Sequence, residues 1–526
     1  MSTNSLVYEV EGKPSMGKLL VFAFQQVLAV LAATILVPTI IGLPVQIPAA
    51  ILGAGLGTIV YLLFTKFKSP VVISSSFAFL TALGNAIAFG YMGIILGGLF
   101  AGLVYVVIAL VVKFVGTGWV EKLMPPVIIG PTVALIGLSL AGNATADIVK
   151  ATAGGVNASY NLVGLLCGLV TFFTVVICSV QNKFKIGRLI PFILGILAGY
   201  VVASIFTVIG NATNCEYLKI IDWSPLVNNF KKVTVESFVT YPRFSLIGGI
   251  KELVNGGVDR NIMLAYISKS SNEGLQAALS NAEFVASLSD AELLETIKLL
   301  NNGVGPQPIT WVGVAEVALA FVPVAFVTFA EHIADHKNLS SIINRDLLKE
   351  PGLSRTLLGD GVGSMVGTVF GICPNTTYGE SVGCVAITKN ASVRTIFVAA
   401  CMLIALSFLS PLTAALETIP NCVMGGVCLT LYGFIAVSGF KMFQKVDLNK
   451  SKNLFIVSAI LISGIGGLAL QIPYKVSSEG AVLNTITITS IATALILGIV
   501  TMVICNAIEK RNAPEAEEAE QPKEEK

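Results

Sequence analysis

Arg355-Thr-Leu-Leu-Gly-Asp360-Gly-Val-Gly-Ser-Met-Val-Gly-Thr-Val-Phe370-Gly-Ile-Cys-Pro-Asn375-Thr-Thr-Tyr-Gly-Glu380-Ser-Val-Gly-Cys-Val-Ala-Ile-Thr-Lys389 holds two apolar runs between basic residues that belong on one side of a membrane. Only 33 residues separate the two charges, whereas each helical crossing ordinarily needs about 20. One crossing must therefore be broken or partly extended. Pro374, Asn375, Thr376 and Thr377 mark the break, because they suit a helix start and suit nothing exposed to mid-membrane lipid. The tenth apolar segment, Tyr378 to Thr388, is then a half-helix. Its counterpart is the third segment, where Pro70, Ser74, Ser75 and Ser76 precede Phe77, Ala78 and Phe79. Short, interrupted segments at matching positions point to a midplane site, where amides at half-helix N-termini can face a substrate. The alternative for the third segment is that its serines bond back along their own helix.

Composition supplies the premise that lipid is the solvent. The chain has 526 residues, 54% hydrophobic and 12% charged, against about 25% charged in a soluble domain, and its mean hydropathy is +0.82. A soluble enzyme, a disordered chain and a nucleic-acid binder are excluded. Net charge is +2, so the placement of charges is more informative than their sum. The nine cysteines show neither a disulfide framework nor zinc spacing and read as small packing residues.

Seven apolar windows lie near 18–40, 47–65, 71–84, 88–112, 123–142, 160–179 and 189–210. Seven more follow a long polar interval, near 309–334, 356–372, 378–388, 395–412, 418–440, 453–471 and 484–506. With a cytoplasmic N-terminus, 23 of the 33 Lys and Arg fall inside, among them Lys66, Lys113, Lys183, Lys185, Arg188, Arg345 and Lys441. Lys150, Lys475 and eight residues of the long interval fall outside, and so long a loop escapes the positive-inside rule. Two halves with seven crossings each can share a fold only as inverted repeats, the common build of secondary transporters. Pro125 with Gly130, and Pro420 with Gly425, echo each other at the fifth span of each half.

The expected organisation is a cytoplasmic N-terminus (1–17), a first repeat (18–210), an extracytoplasmic loop with a helical insert (211–308), a second repeat (309–506) and a disordered cytoplasmic tail (507–526). In the insert, Ser289 with Glu292 makes a capping box ahead of the apolar stripe Leu293, Leu294, Ile297 and Leu300, and Gly303 is a stop.

Carboxylates within spans are costly, about 2.5–3.5 kcal/mol each on insertion scales, and need a reason. Four stand out: Glu331, Asp335, Asp360 and Glu380. Glu331 and Asp335 are four apart on one helical face, and two like charges that close cannot both ionise cheaply. One of them can hold a proton, which a proton-coupled carrier requires. The alternative for Asp335 is an interfacial charge beside Lys337. His332 and His336 are also four apart, but no cysteine or third histidine completes a metal site, so no metal and no cofactor is expected. Gly53, Gly55 and Gly57 imitate a nucleotide loop inside an apolar span, where close helix packing is the better reading.

Cys373 to Gly383, continuing through Ala386-Ile387-Thr388-Lys389, resembles the signature of the nucleobase-ascorbate transporter family, particularly its uracil-permease branch. Ala330-Glu331-His332, Ser75-Ser76-Phe77-Ala78-Phe79 and Ala33-Thr34-Ile35-Leu36-Val37-Pro38 fit the same family. The likeness covers nearly the whole chain except about 244–308. It implies an all-α polytopic protein of fourteen segments in two inverted repeats, with short β-strands in segments 3 and 10. Spans 1–4 and 8–11 would form a core domain and the rest a gate domain that also builds a homodimer. It further implies that Glu331 and Glu380 bind the base, that backbone groups at Phe77 and Gly379 complete its edge, and that Ala33 and Tyr378 line the pocket. Proton coupling would draw on Glu331, Asp335, Asp360 and Glu380.

A neutral, planar pyrimidine suits such a site, since carboxylates accept from its N–H groups while half-helix amides donate to its carbonyls. The expectation is a proton-coupled uracil symporter of a bacterial-type inner (plasma) membrane, with both termini cytoplasmic, partnered by lipid, nucleobase and protons but not by nucleic acid. Asp335, Asp360 and the Gln26 that replaces a usual histidine depart from the uracil pattern, and the two acids resemble the purine branch. A xanthine or purine carrier is thus the alternative. An anion exchanger or channel of the same build would want a positive residue where Glu380 stands, and no enzyme is expected, because no nucleophile–base set is visible.

Overall fold

The structure is a computed structural model that describes residues 6–149, 160–181, 187, 190–270, 272–279, 282–301, 303–444, 446–476 and 482–519. Lys150, Lys183, Lys185 and Arg188, used in the charge count, lie outside the described residues, as does the end of the tail from 520.

Among the described residues, nine helical stretches are long and apolar enough to cross a membrane. The third apolar window enters as a strand, β1 (Ile73–Ser75), followed by the turn Phe77–Phe79 and the short helix Leu80–Ala86. The tenth enters as β2 (Asn375–Thr377), followed by helix Gly379–Thr388. Both segments are broken as the residue count requires, and the two breaks meet. β1 and β2 pair antiparallel, Ile73 with Thr377, Ser74 with Thr376 and Ser75 with Asn375. Pairing satisfies backbone groups that lipid could not, and all six strand residues are buried.

Glycines bring the surrounding helices close enough to hold this ladder. A Cβ on Gly53 would stand 2.6 Å from the Gly367 carbonyl oxygen, and one on Gly57 would stand 2.4 Å from Asn375 Nδ2. The Gly53–Gly57 run is therefore a packing face. It leaves room for Asn375 to donate to Gly53 O at 2.9 Å, while Ser364 donates to Asn375 O at 2.6 Å. Helices Pro126–Asp147 and Asn421–Phe443 begin directly after Pro125 and Pro420, which stand at their N-caps. They pack antiparallel: Gly137 lies against the Tyr432 carbonyl, Gly425 against Ala144 and Gly439 against Ala134.

One expectation needs correction. Windows 453–471 and 484–506 are not helical throughout: helix Ser451–Ile465 ends ahead of Gly466 and Gly467, the latter at φ +73°. An antiparallel hairpin, β3 (Leu470–Val476) with β4 (Val482–Ile488), then precedes the last helix. The stretch Val482-Leu-Asn-Thr-Ile-Thr-Ile488 carries the β-branched residues and near period-two alternation of a strand. The last helix runs over Ser490–Ala519, past the position at which the tail is expected to begin. Alanine and glutamate, which dominate its end, are strong helix formers.

The insert contains short helices. Ser289 and Glu292 form a reciprocal capping box on helix Asp290–Leu300, and Leu293 and Ile297 are buried. It is anchored through helix Ser245–Asn255, whose buried Glu252 accepts from the backbone N–H of Tyr91 at 2.8 Å and of Asp259 at 3.1 Å. Gly90, at φ +70°, makes room, because a Cβ there would lie 2.4 Å from Glu252 Oε2. Burial pushes the Glu252 carboxyl up to about 7, although those backbone donors pull it down. The docked insert thus holds a proton that the undocked insert releases near the ordinary carboxylate value, about 4.3. Docking is therefore expected to weaken as pH rises from about 4.5 to 7, and to level off above that. Amide exchange over 245–255, corrected for intrinsic rates, should show this trend in the wild type and lose it in Glu252→Gln. A Gln variant with an unaltered trend would refute it.

Candidate substrate site

A cavity of about 640 Å³ opens beside the strand ladder. Phe77, Tyr378, Gly379, Glu331 and Glu380 line it together with Asp335, and it extends past Asn338 to Ser179 and Lys441. Helix Trp311–Ile343 supplies Glu331 and Asp335 from one face, and the first turn of helix Gly379–Thr388 supplies Glu380. Three carboxylates from two elements thus face one volume, and that helix opens at Gly379, where no side chain shields the first amides.

Each wall has its own support. Thr377 Oγ1 donates to Asp335 Oδ2 at 2.8 Å, tying helix Trp311–Ile343 to β2. Gly379 stands beside the other oxygen, its ideal Cβ position being 3.8 Å from Asp335 Oδ1. The Tyr378 hydroxyl donates to the Ser75 carbonyl, fixing the half-helix to β1. Ser381 Oγ donates to Gln26 Oε1 at 2.9 Å and accepts from the Val72 amide at 3.0 Å. Gln26 therefore acts as a strut between the first helix and the half-helix. Phe77 meets Tyr432 edge to face, with centroids 5.5 Å apart, bringing helix Asn421–Phe443 against the turn that follows β1.

Two residues expected at the site stand elsewhere. Ala33 is fully buried and does not line the cavity; Ala29, one turn earlier, does. A one-turn displacement along a helix is invisible in sequence without the tilt of its neighbours. Asp360 lies behind the cavity, its Oδ2 2.6 Å from His332 Nδ1, and His332 Nε2 is 3.0 Å from Thr356 Oγ1. Asp360 Oδ1 and Thr376 Oγ1 are both buried. His336 Nδ1 donates to the His332 carbonyl at 2.8 Å, and its Nε2 is 2.7 Å from the Tyr61 hydroxyl, which is 2.7 Å from Ser69 Oγ. The histidines thus form an inner polar layer behind the carboxylates. Among the described residues no three or more His, Cys, Asp or Glu side chains are placed so that together they could hold a metal ion.

Residues 17–246 and 305–473 match the family model described as "Permease family" (Xan_ur_permease). The chain belongs to this permease family. The permease is 33% identical over 486 residues to the uracil permease of Bacillus caldolyticus, covering 92% of this chain and 93% of the relative. It is 30% identical over 500 residues to the uracil permease of Bacillus subtilis (strain 168), covering 94% of each. In fold it is similar to SLC26A9, at TM-score 0.55 and 12% identity over 93% of this chain; the permease spans 65% of that chain's length. With its apolar helices, the permease is a multi-pass membrane protein. Its likeness to nucleobase-ascorbate transporters holds over both halves, and the matched ranges leave out 247–304.

Proposed function

We propose that this permease is a proton-coupled symporter that imports uracil across a bacterial-type plasma membrane by alternating access. The observation that carries the reading is the meeting, at one cavity, of Glu331 and Glu380 with the open N-terminal turn of helix Gly379–Thr388. Uracil is flat and uncharged. Its N–H groups donate to the carboxylates, and its carbonyls accept from amides at Phe77 and Gly379. A proton on one carboxyl lowers the cost of keeping several acids in one desolvated volume and turns that carboxyl into a donor. Proton and substrate then favour the same loaded state, and linkage couples their affinities with no covalent step. The names of the relatives support uracil as cargo.

The accompanying architecture is fourteen segments in two inverted repeats (18–210 and 309–506), spans 1–4 and 8–11 moving as a core against a gate that also forms a homodimer. Both termini are cytoplasmic. On that orientation the cavity mouth at Asn338 and Lys441 faces the cytoplasm, so this conformer is inward-facing. One observation favours a second cargo: Asp335, an acid typical of the purine branch, lines the cavity beside Gly379. Uptake of labelled uracil competed by unlabelled uracil, xanthine, uric acid and adenine separates the two. Uracil is expected to compete best, and stronger competition by xanthine would transfer the assignment to purines. Uracil accumulation that survives collapse of the proton gradient, with sodium absent, would overturn the coupling.

A further inference from the structure

A second cleft, of about 320 Å³, lies on the same two elements as the central cavity but at their other ends. The central cavity takes Phe77 and Glu331; the second takes Asn85 at the end of the half-helix, Phe89 just beyond it, and Glu316 near the start of helix Trp311–Ile343. Glu316 and Glu331 are separated by about 22 Å of helix at 1.5 Å per residue. Gln307, Tyr266 and Thr487 close the remaining sides.

The walls are built. The Gln307 amide donates to the Ala88 carbonyl at 2.9 Å, pinning the segment after the insert to the turn Ile87–Phe89. Gly313 lets the long helix reach Phe89, since a Cβ there would stand 2.7 Å from the ring. Asn301 Nδ2 donates to the Tyr266 hydroxyl at 3.2 Å and holds that ring over the opening. Tyr266 belongs to the segment between the two family-matched ranges, and Thr487 lies beyond the second. Two carboxamides, two hydroxyls and a carboxylate share the lining with two aromatic rings, and no lysine or arginine is present. Such a lining offers donors and acceptors to the edge of a flat, neutral heterocycle and ring faces to its plane, and it holds no cationic side chain to balance an anion.

We infer that this cleft is a second, weaker binding site for the transported base, an antechamber on the face opposite the central cavity's mouth. The inference rests on the proposed uracil reading. Equilibrium binding of radiolabelled uracil to the purified full-length protein tests it. Two classes of site are expected per chain, separated by at least tenfold in affinity. Glu380→Ala should remove the tight class alone, and Asn85→Ala with Glu316→Gln the weak class alone. Tyr266→Ala should weaken the weak class at least threefold. Retention of the tight class shows that the cleft variants are folded. A single class that the cleft substitutions leave unchanged overturns the antechamber and spares the central reading, whereas no uracil binding at all overturns both.

Discussion

Replacing Glu380 by alanine is expected to lower uracil affinity by roughly a hundredfold or more, about 3 kcal/mol, a size typical of losing charge-assisted hydrogen bonds in a desolvated site. Glu380 stands in the first turn of a ten-residue helix and is one of three carboxylates facing the cavity. The substitution removes acceptors and leaves the base's N–H groups buried without partners, which costs more than the bond itself. It should not unseat the half-helix, because Tyr378 is tied to Ser75 and Ser381 to Gln26 by bonds that do not involve Glu380. The ligand-free melting temperature is therefore expected to stay near that of the wild type while the uracil-induced shift disappears. A folded alanine variant with wild-type uracil affinity would remove Glu380 from the site.

Asp335→Asn is the second large effect. Thr377 donates to Asp335 Oδ2, and an asparagine carbonyl can accept the same bond, so the geometry survives while the titratable proton is lost. Wild-type uptake is expected to fall as external pH rises, because under the proposed coupling a protonated carrier loads. The variant should be flat across that range. One-to-one proton coupling can accumulate substrate tenfold per pH unit of gradient, since one unit is worth 1.36 kcal/mol. The variant should lose that and approach equal concentrations on both sides, while still exchanging labelled for unlabelled uracil. A wild-type pH profile in Asp335→Asn would move the coupled proton elsewhere, with Glu331 the next carboxylate on the same cavity wall.

The break at Pro374 was legible because it follows from counting: two charges on one side fix how much chain is left for two crossings. The capping box at Ser289 and the glycine face at 53–57 were legible for a similar reason, since each is a local pattern with one physical use. What remained hidden depends on register between distant helices. Nothing in the spacing of His332 and Asp360 says that they touch, and the one-turn difference between Ala33 and Ala29 lies below what a periodicity can fix. The hairpin 470–488 had a signal in its alternating β-branched residues. An apolar average over a span-length window blurs that alternation into the helices on either side.

The ladder joining Ile73–Ser75 to Asn375–Thr377 bears on how the molecule is made. Its partners lie some 300 positions apart, as the Tyr378–Ser75 bond records with a separation of 303. During synthesis the first strand therefore enters the bilayer long before its mate exists, and its peptide groups must be sheltered by something else in the interim. The recognition pocket is consequently among the last parts to be assembled. A chain that ends before residue 375 carries the first strand with no ladder partner at all.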